Sequence, residues 1–123
     1  MTPQKVEVIL EFLHDLRSDP QATVFDIPVN WRALNIPDYP HIVKNPMDLQ
    51  TLEAKVRGEY KEAGGKVFKG YTYFDEFHAD LNLVWSNCKL FNQIGSSIYR
   101  YAQSMERLSN RLLYKYKLVK RLV

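Results

Sequence analysis

The sequence FDEFHADLNLVWSNCKLFN, residues 74–92, decides the fold because it carries the strongest helical pattern in the chain. Its large apolar residues recur every three or four positions, which places them on one face of a long amphipathic helix. They are Phe74, Phe77, Leu81, Val84, Trp85, Cys88 and Phe91. The pattern ends at Asn92, and Gly95 follows three residues later, so Asn92 is predicted at the C-terminal end of this helix.

Asn92 is also the first candidate binding residue. Its uncharged amide offers two N–H donors and one carbonyl acceptor. Beside apolar walls, such a group suits a ligand that is itself a neutral amide. Asparagine is common as a plain helix C-cap, however, so position alone leaves both interpretations open.

Four helices are predicted, each marked at one or both ends by residues that favour helix termini. They run from Thr2-Pro3 to Ser18, from Asn45-Pro46 to Gly58, from Thr72 to Asn92, and from Ser96 into the basic end of the chain. Hydroxyl and asparagine side chains are typical N-caps, and proline is typical of the first helical position. Asn45 is therefore expected to cap the second helix, and Thr72 with Asp75 to form a capping box for the third.

The apolar loop, defined as residues 21–44, separates the first two helices. Prolines border and interrupt it, at Pro20, Pro28, Pro37 and Pro40, so neither a long helix nor a central strand fits. Its large apolar residues include Val24, Phe25, Ile27, Val29, Trp31, Leu34, Ile36, Tyr39, Ile42 and Val43. A loop of this composition must pack against the protein, and long ordered loops of compact domains are often functional.

These elements predict an all-α fold, a bundle of four antiparallel helices, because amphipathic helices with short connections bury their apolar faces against one another. Residues 59–72 are charged and contain glycines, and are expected to form a surface loop. In such a bundle the first-to-second and third-to-fourth connections lie at the same end. The apolar loop and Asn92 should therefore meet there and form one site.

Length and composition fit one soluble domain covering residues 1–123. No apolar run approaches the length of a membrane span, so no membrane interaction is expected. Cys88, the single cysteine, excludes an intrachain disulfide and a cysteine-based zinc site. The three histidines lack the spacing of a metal motif and no catalytic motif is present, so no metal, cofactor or enzymatic activity is predicted.

The basic end of the last helix, residues 111–123, is the strongest competing signal. It carries Arg111, Lys115, Lys117, Lys120 and Arg121, whereas the whole chain has a net charge of only +3. Cations near a helix C-terminus are favourable by themselves and improve solubility. The same cations fit contact with nucleic-acid phosphates, either as an addition to another function or as an alternative to it.

Several motifs, in this order and spacing, strongly resemble the bromodomain family over roughly residues 10–112. They are Ile36-Pro37-Asp38-Tyr39, then IVKNPMDL at 42–49, then Asn87-Cys88 with Phe91-Asn92. Phe25 followed by Pro28-Val29 adds to the similarity. The resemblance implies a left-handed four-helix bundle that binds acetylated lysine, typically on histone tails.

By matching position, the resemblance implies roles for individual residues. Asn92 would donate a hydrogen bond to the acetyl carbonyl, and Tyr39 would reach the same oxygen through a water molecule. Phe25 would lie at the base of the pocket near the acetyl methyl group, and Ile98 falls at the family's gatekeeper position. The other predicted pocket residues are Pro28, Val29, Leu34, Ile36 and Phe91.

The chain departs from the family pattern at the rim of the pocket. The aromatic shelf, commonly Trp-Pro-Phe, is replaced by Thr23-Val24-Phe25, and Phe91 stands where many members have tyrosine. Val24 and Trp31 are the candidate rim residues.

The resemblance thus implies a non-catalytic reader of acetylated histone peptides in the nucleus, expected as a monomeric domain of a larger chromatin-associated protein. Two alternatives stay open. One is a basic helical domain that binds nucleic acid, suggested by the charge of the last helix. The other is an interaction scaffold whose pocket is vestigial, suggested by the altered shelf.

Overall fold

The computed structural model describes residues 1–122, which contain four helices of two or more turns, one single-turn helix and a small β-hairpin. In chain order the helices are α1 (Pro3–Arg17), α2 (Tyr39–Ile42), α3 (Leu49–Arg57), α4 (Phe74–Phe91) and α5 (Ser97–Lys115). A 3-10 helix, Pro20–Phe25, follows α1, and strands β1 (Tyr60–Lys61) and β2 (Val67–Phe68) lie between α3 and α4.

The predicted last helix is wrong in its extent, because α5 ends at Lys115 and does not continue through the basic end at 111–123. Lys117 takes a left-handed φ of +57°, and the Leu118 amide turns back to donate to the Leu113 carbonyl at 2.8 Å. Val123, the last residue of the predicted basic end, lies outside the described residues.

Several predicted helix ends are confirmed. The Thr2 hydroxyl accepts a hydrogen bond from the Lys5 amide at 3.1 Å and so caps α1. α3 ends at Gly58, whose φ of +72° is the left-handed conformation that glycine adopts without strain. α4 ends at Phe91 with Asn92 as its C-cap, as the sequence pattern predicts.

The predicted start of α3 is wrong. The helix begins at Leu49 instead of Pro46, and Asp48 is its N-cap in place of Asn45. The Asp48 carboxylate accepts from the Thr51 amide at 2.9 Å and from the Thr51 hydroxyl at 2.6 Å. A charged acceptor at the positive end of the helix dipole makes stronger bonds than an amide, which explains the later start.

The predicted capping box of α4 is also wrong in its residues. Glu76, and not Asp75, reaches back over the first turn. Its carboxylate accepts from the Tyr73 amide at 2.8 Å and from the Thr72 amide at 3.0 Å. The N-cap is Tyr73, one residue later than predicted, so the third helical position is occupied by Glu76 and not by Asp75.

The core is formed by the facing apolar sides of α1, α3, α4 and α5. Its largest fully buried side chains are Trp85, Phe12, Phe77, Ile9, Leu13, Leu16, Leu49, Leu52, Leu81, Met105 and Leu113. Burying one Leu or Phe side chain contributes roughly 1.5–3 kcal/mol, so this set supplies most of the driving force for the bundle. The apolar face of α4 is buried down to Trp85, while Cys88 and Phe91, nearer the helix end, are only half-buried.

The apolar loop is attached to this core at several points. Phe25, Tyr39 and Val43 are buried, and the Phe25 ring meets Trp85 edge-on with ring centroids 5.2 Å apart. The chain between the 3-10 helix and α2 consists of turns and irregular backbone. These contacts hold both ends of the apolar loop against the bundle.

Residues 59–72, predicted as a surface loop, contain the hairpin, in which Tyr60 lies opposite Phe68. The Phe68 ring packs edge-on against Tyr71 at 5.2 Å. The Tyr71 hydroxyl donates to Asp80 of α4 at 2.6 Å, and Lys55 of α3 binds the same carboxylate at 2.7 Å. These contacts attach the hairpin to α3 and α4.

Candidate acetyl-lysine site

A cavity lies where the apolar loop meets the C-terminal end of α4 and the N-terminal end of α5. Its empty volume is about 410 Å³, part of it open to solvent. The lining residues are Val24, Phe25, Ile27, Val29, Tyr39, Met47, Val84, Asn87, Cys88, Asn92 and Ile98. The structure thus brings the apolar loop and Asn92 together at one site.

The Asn92 side chain is fixed by the end of its own helix. Its Nδ2 donates to the Cys88 carbonyl at 2.9 Å, and its backbone amide donates to the same oxygen at 3.0 Å. The nearest other acceptor of Nδ2 is the Cys88 thiol at 3.6 Å, which is a weak one. One strong hydrogen bond therefore orients the amide, and its second N–H can donate to a ligand.

Tyr39 lies on the loop side of the cavity. Its side chain is buried, and its ring meets Phe91 edge-on at 5.1 Å with an angle of 69° between the ring planes. Burial raises the pKa of the Tyr39 hydroxyl, and the nearby Cys88 and Asp48 act in the same direction. The hydroxyl is therefore neutral at physiological pH and can act as a hydrogen-bond donor.

Cys88 and Asn87 connect the cavity wall to its surroundings. Burial raises the pKa of the Cys88 thiol, so it is neutral, and its Sγ donates weakly to the Ile98 carbonyl of α5 at 3.5 Å. Asn87 is buried, and its Nδ2 donates to the Asn45 carbonyl at 2.7 Å. These two side chains tie α4 to α5 and to the segment before α3.

Six residues from the predicted site line the cavity: Val24, Phe25, Val29, Tyr39, Asn92 and Ile98. Pro28 instead lines a neighbouring cavity, which shares Val29, Tyr39 and Met47 with the first one. Phe91 supports Tyr39 from behind and is not part of the lining. Six of the residues named from the sequence therefore share one cavity, and their role in binding stays a prediction.

The turn at 31–35 explains why Trp31, Leu34 and Ile36 lie outside the lining. The Asn30 side chain accepts from the Ala33 amide at 3.1 Å, and Ile36 donates its amide to the Trp31 carbonyl at 2.9 Å. This turn projects into solvent, so that Leu34 is 63% exposed. Trp31 stacks with the guanidinium of its neighbour Arg32, at 4.4 Å from the ring centroid.

Five lining residues were not predicted: Ile27, Met47, Val84, Asn87 and Cys88. Two signals in the sequence point to some of them. Val84 and Cys88 precede Asn92 at intervals of four on the same helix face, and Ile27 lies midway between Phe25 and Val29. Helical spacing alone assigns Val84 and Cys88 to the core, because it cannot show where the core opens into a cavity.

The chemistry of the cavity is that of a site for a neutral group. Its lining consists of apolar side chains, one phenol, one thiol and two amides, and carries no charged side chain within the described residues. Among residues 1–122, no three His, Cys, Asp or Glu side chains are grouped so as to hold a metal ion. In the same range, no helix is long and apolar enough to cross a membrane.

The family model for bromodomains matches residues 9–104 of the chain. This chain belongs to the bromodomain family. Bromodomains bind acetyl-lysine and are readers of this modification, not catalysts. This chain is similar to the second bromodomain of Bdf1 from Candida albicans, solved with an imidazopyridine bound, with a TM-score of 0.72 and 31% identity. That match covers 91% of this chain and 99% of the solved one, and it confirms the predicted all-α helical bundle.

Relatives of this bromodomain occur in proteins of chromatin and transcription. The chain is 34% identical over 113 residues to the SWR1 complex bromodomain subunit bdf1 of Schizosaccharomyces pombe, covering 92% of this chain and 18% of that protein. It is 40% identical over 83 residues to Bromodomain-containing factor 1 of Candida albicans, covering 67% of this chain and 10% of that protein. It is 29% identical to the Histone acetyltransferase GCN5 of Debaryomyces hansenii, covering 83% of this chain and 20% of that protein. The bromodomain thus spans a fifth or less of the length of each of these relatives.

Proposed function

We propose that the cavity binds the side chain of an acetylated lysine on a histone tail. Asn92 donates to the acetyl carbonyl through the side-chain N–H that does not bind the Cys88 carbonyl, and Tyr39 contacts the same oxygen through a water molecule. One observation carries the proposal: an oriented, uncharged amide lies in a cavity whose other walls are mainly apolar. This arrangement matches an acetyl-lysine head, which has one carbonyl acceptor and one methyl group.

The same chemistry explains how the modified and unmodified side chains are told apart. Acetylation converts an ammonium into a neutral amide. Burying the ammonium without a counter-charge is heavily unfavourable, whereas the amide needs only its hydrogen bonds replaced. The uncharged lining therefore discriminates chiefly by excluding the charged form.

The walls have distinct parts in this proposal. Phe25, held edge-on by Trp85, forms the base that receives the acetyl methyl group. Ile98, on the first turn of α5, lines the same cavity, and in this proposal Val24 and Val29 contact the aliphatic stem of the lysine. Phe91 acts indirectly by fixing the Tyr39 ring. Pro28, Leu34, Ile36 and Trp31 shape the loop and not the pocket itself.

We further propose that residues 1–123 act as one monomeric, non-catalytic reader domain of a larger nuclear protein. The names of its relatives, which include a chromatin-complex subunit and a histone acetyltransferase, support a setting in chromatin. A single side chain buries little area, so the expected affinity is micromolar or weaker, about 8 kcal/mol at best.

Calorimetric titration tests this function. A histone H4 tail peptide acetylated on its lysines should bind with measurable heat, and the same peptide without acetyl groups should bind at least about tenfold more weakly. Equal binding of the two peptides would contradict an acetyl-lysine reader. Absence of binding by any acylated histone peptide, with the protein folded, would favour the vestigial scaffold instead.

A second function is supported by the distribution of charge. Residues 97–121 carry seven Lys or Arg and one Asp or Glu, which is a net charge of +6. Because the whole chain has a net charge of +3, the remaining residues together carry −3. Arg100, Arg107 and Arg111 are exposed and share one face of α5, and none forms an ion pair among the described residues. We propose that this face contacts the phosphates of nucleic acid near a bound histone tail.

Fluorescence anisotropy with a labelled DNA duplex tests the second function. Replacing the three arginines together by glutamine should weaken binding and reduce the dependence of log Kd on log salt concentration by roughly two to three. A matched control removes three exposed lysines of the hairpin region, Lys61, Lys66 and Lys69, by the same change to glutamine. An equal effect of the two triple variants would show that net charge alone attracts DNA.

A further inference from the structure

Asp26 lies between two residues of the cavity wall, Phe25 and Ile27, but does not itself line the cavity. Arg17, the last residue of α1, holds its carboxylate through two hydrogen bonds. Nε donates to Oδ1 at 2.7 Å and a terminal nitrogen of the guanidinium donates to Oδ2 at 3.0 Å. Two parallel bonds of this kind fix the direction as well as the distance between the groups.

A second connection joins the same residue to α3. The Asp26 carbonyl accepts from the Gln50 amide, in the first turn of α3, at 2.9 Å. Arg17 also donates to Glu53 of α3 at 3.0 Å, and Glu53 in turn accepts from Arg57 at 3.2 Å. Asp26 is therefore the point at which the beginning of the irregular loop is tied to two helices of the bundle.

This tie has a mechanical consequence for the cavity. Phe25 is buried and packs on Trp85, whereas Ile27 is 60% exposed and belongs to irregular backbone. Packing therefore fixes the wall on one side of Asp26 but contributes little on the other. Each backbone residue that must become ordered when a ligand binds costs about 1–2 kcal/mol, so a wall that is fixed in advance favours binding.

We propose that Arg17 and Asp26 form a positioning pair that holds the Ile27 side of the cavity in its ligand-binding arrangement. The inference rests on the proposed acetyl-lysine function. Neither residue touches the ligand; the pair acts through the backbone of residues 25–27. Removing the pair should weaken acetyl-peptide binding more than removing the ion pair between Arg17 and Glu53, which does not involve residues 25–27 of the cavity wall.

Asp26→Asn is the test variant, because it keeps the shape of the side chain and leaves the bond between Arg17 and Glu53 in place. It should weaken binding of the acetylated H4 tail peptide about fivefold in calorimetry. Glu53→Gln is the matched control, since it breaks a contact of the same arginine without touching residues 25–27. It should leave the affinity within a factor of about 1.5, whatever its effect on the melting temperature.

Arg17 itself supplies the second arm. Arg17→Gln should weaken binding of the acetylated peptide as much as Asp26→Asn does. Arg17→Lys keeps the charge but not the two-bond geometry, so it should retain only part of the wild-type affinity. The positioning role would be overturned if the Asp26 and Glu53 variants both lost peptide affinity in the same proportion to their fall in melting temperature.

A readout without peptide separates this inference from the proposed function. In methyl NMR spectra, the Ile27 δ-methyl signal should broaden through exchange in Asp26→Asn and stay sharp in Glu53→Gln. If the wild-type protein bound no acetylated peptide and this contrast were still seen, the function would fail and the positioning pair would stand. Identical Ile27 signals in the wild type and Asp26→Asn would overturn the pair.

Discussion

At the scale of single residues, the site depends on how Asn92 is held. The helix C-cap and the proposed ligand contact use different N–H bonds of this residue. Its backbone amide and one side-chain N–H bind the Cys88 carbonyl, so the remaining N–H is oriented without help from a ligand. Because the amide is preorganised, little conformational freedom is lost on binding.

Tyr39→Phe tests the water-mediated contact at this scale. The change removes only the hydroxyl and keeps the edge-on packing against Phe91. Affinity for an acetylated peptide should fall about two- to fivefold in calorimetry, because one hydrogen bond through water is lost. The melting temperature should change little. Tyr114→Phe, at an exposed position of α5, is the control, and equal affinities of both variants would contradict the assigned contact.

His78 should make stability depend on pH. Burial against Phe74 lowers the pKa of His78 below its usual 6.5, and Asp75 opposes this only in part. The unfolded chain therefore takes up the proton more readily than the folded protein, so stability should fall as the pH drops from 6.5 through the lowered pKa.

Melting temperatures measured from about pH 7.5 to about pH 5 check this expectation. His78→Gln should flatten the decline toward acid, whereas His41→Gln, at an exposed position, should keep the wild-type slope. A His78→Gln variant with an unchanged slope would contradict the account.

At the scale of elements, α4 forms both core and site. Its face is buried from Phe77 to Trp85, and the same face lines the cavity at Val84, Cys88 and the adjoining Asn92. The change occurs where residues of the apolar loop, together with Ile98 of α5, lie opposite α4. The helix thus fixes the position of Asn92 relative to the core.

The N-cap of α3 gives a prediction at this scale. Asp48→Ala should lower the free energy of unfolding by about 1–2 kcal/mol, because the Thr51 amide and hydroxyl lose their acceptor. Asn45→Ala should change it by less than about 0.5 kcal/mol, since Asn45 contributes its backbone carbonyl, which alanine retains. Urea denaturation of both variants makes the measurement, and a larger loss for Asn45→Ala would restore the helix start expected from the sequence.

The elements also show what sequence could predict. Long helices with a periodic apolar face, and the meeting of the apolar loop with Asn92, follow from spacing and connectivity. Helix starts at 45–49 and 72–76 do not, because several neighbouring residues are acceptable caps and tertiary contacts choose among them. The position of Leu34 could not be predicted for a related reason: composition indicates that a loop packs, but not which of its side chains a local turn directs into solvent.

At the scale of the whole molecule, the two proposed functions meet on α5. Ile98 lines the cavity, and the exposed arginine face begins two residues later at Arg100. From Arg100 to Arg111 the helix rises roughly 16 Å, enough to follow several phosphates of a duplex. The resemblance to bromodomains, which is carried by motifs, predicted the cavity. The charge pattern of the sequence indicated a nucleic-acid contact at residues 111–123, whereas the arginine face proposed from the structure lies on residues 100–111.

The central claim is that Asn92 supplies the hydrogen bond that recognises the acetyl group. The most direct test is calorimetric titration of one acetylated histone peptide into the wild type, Asn92→Ala and the neighbouring exposed control Gln93→Ala, with thermal melts of all three. Asn92→Ala should weaken binding at least about tenfold while the protein stays folded, and Gln93→Ala should bind as the wild type does. A folded Asn92→Ala variant with wild-type affinity would contradict the account.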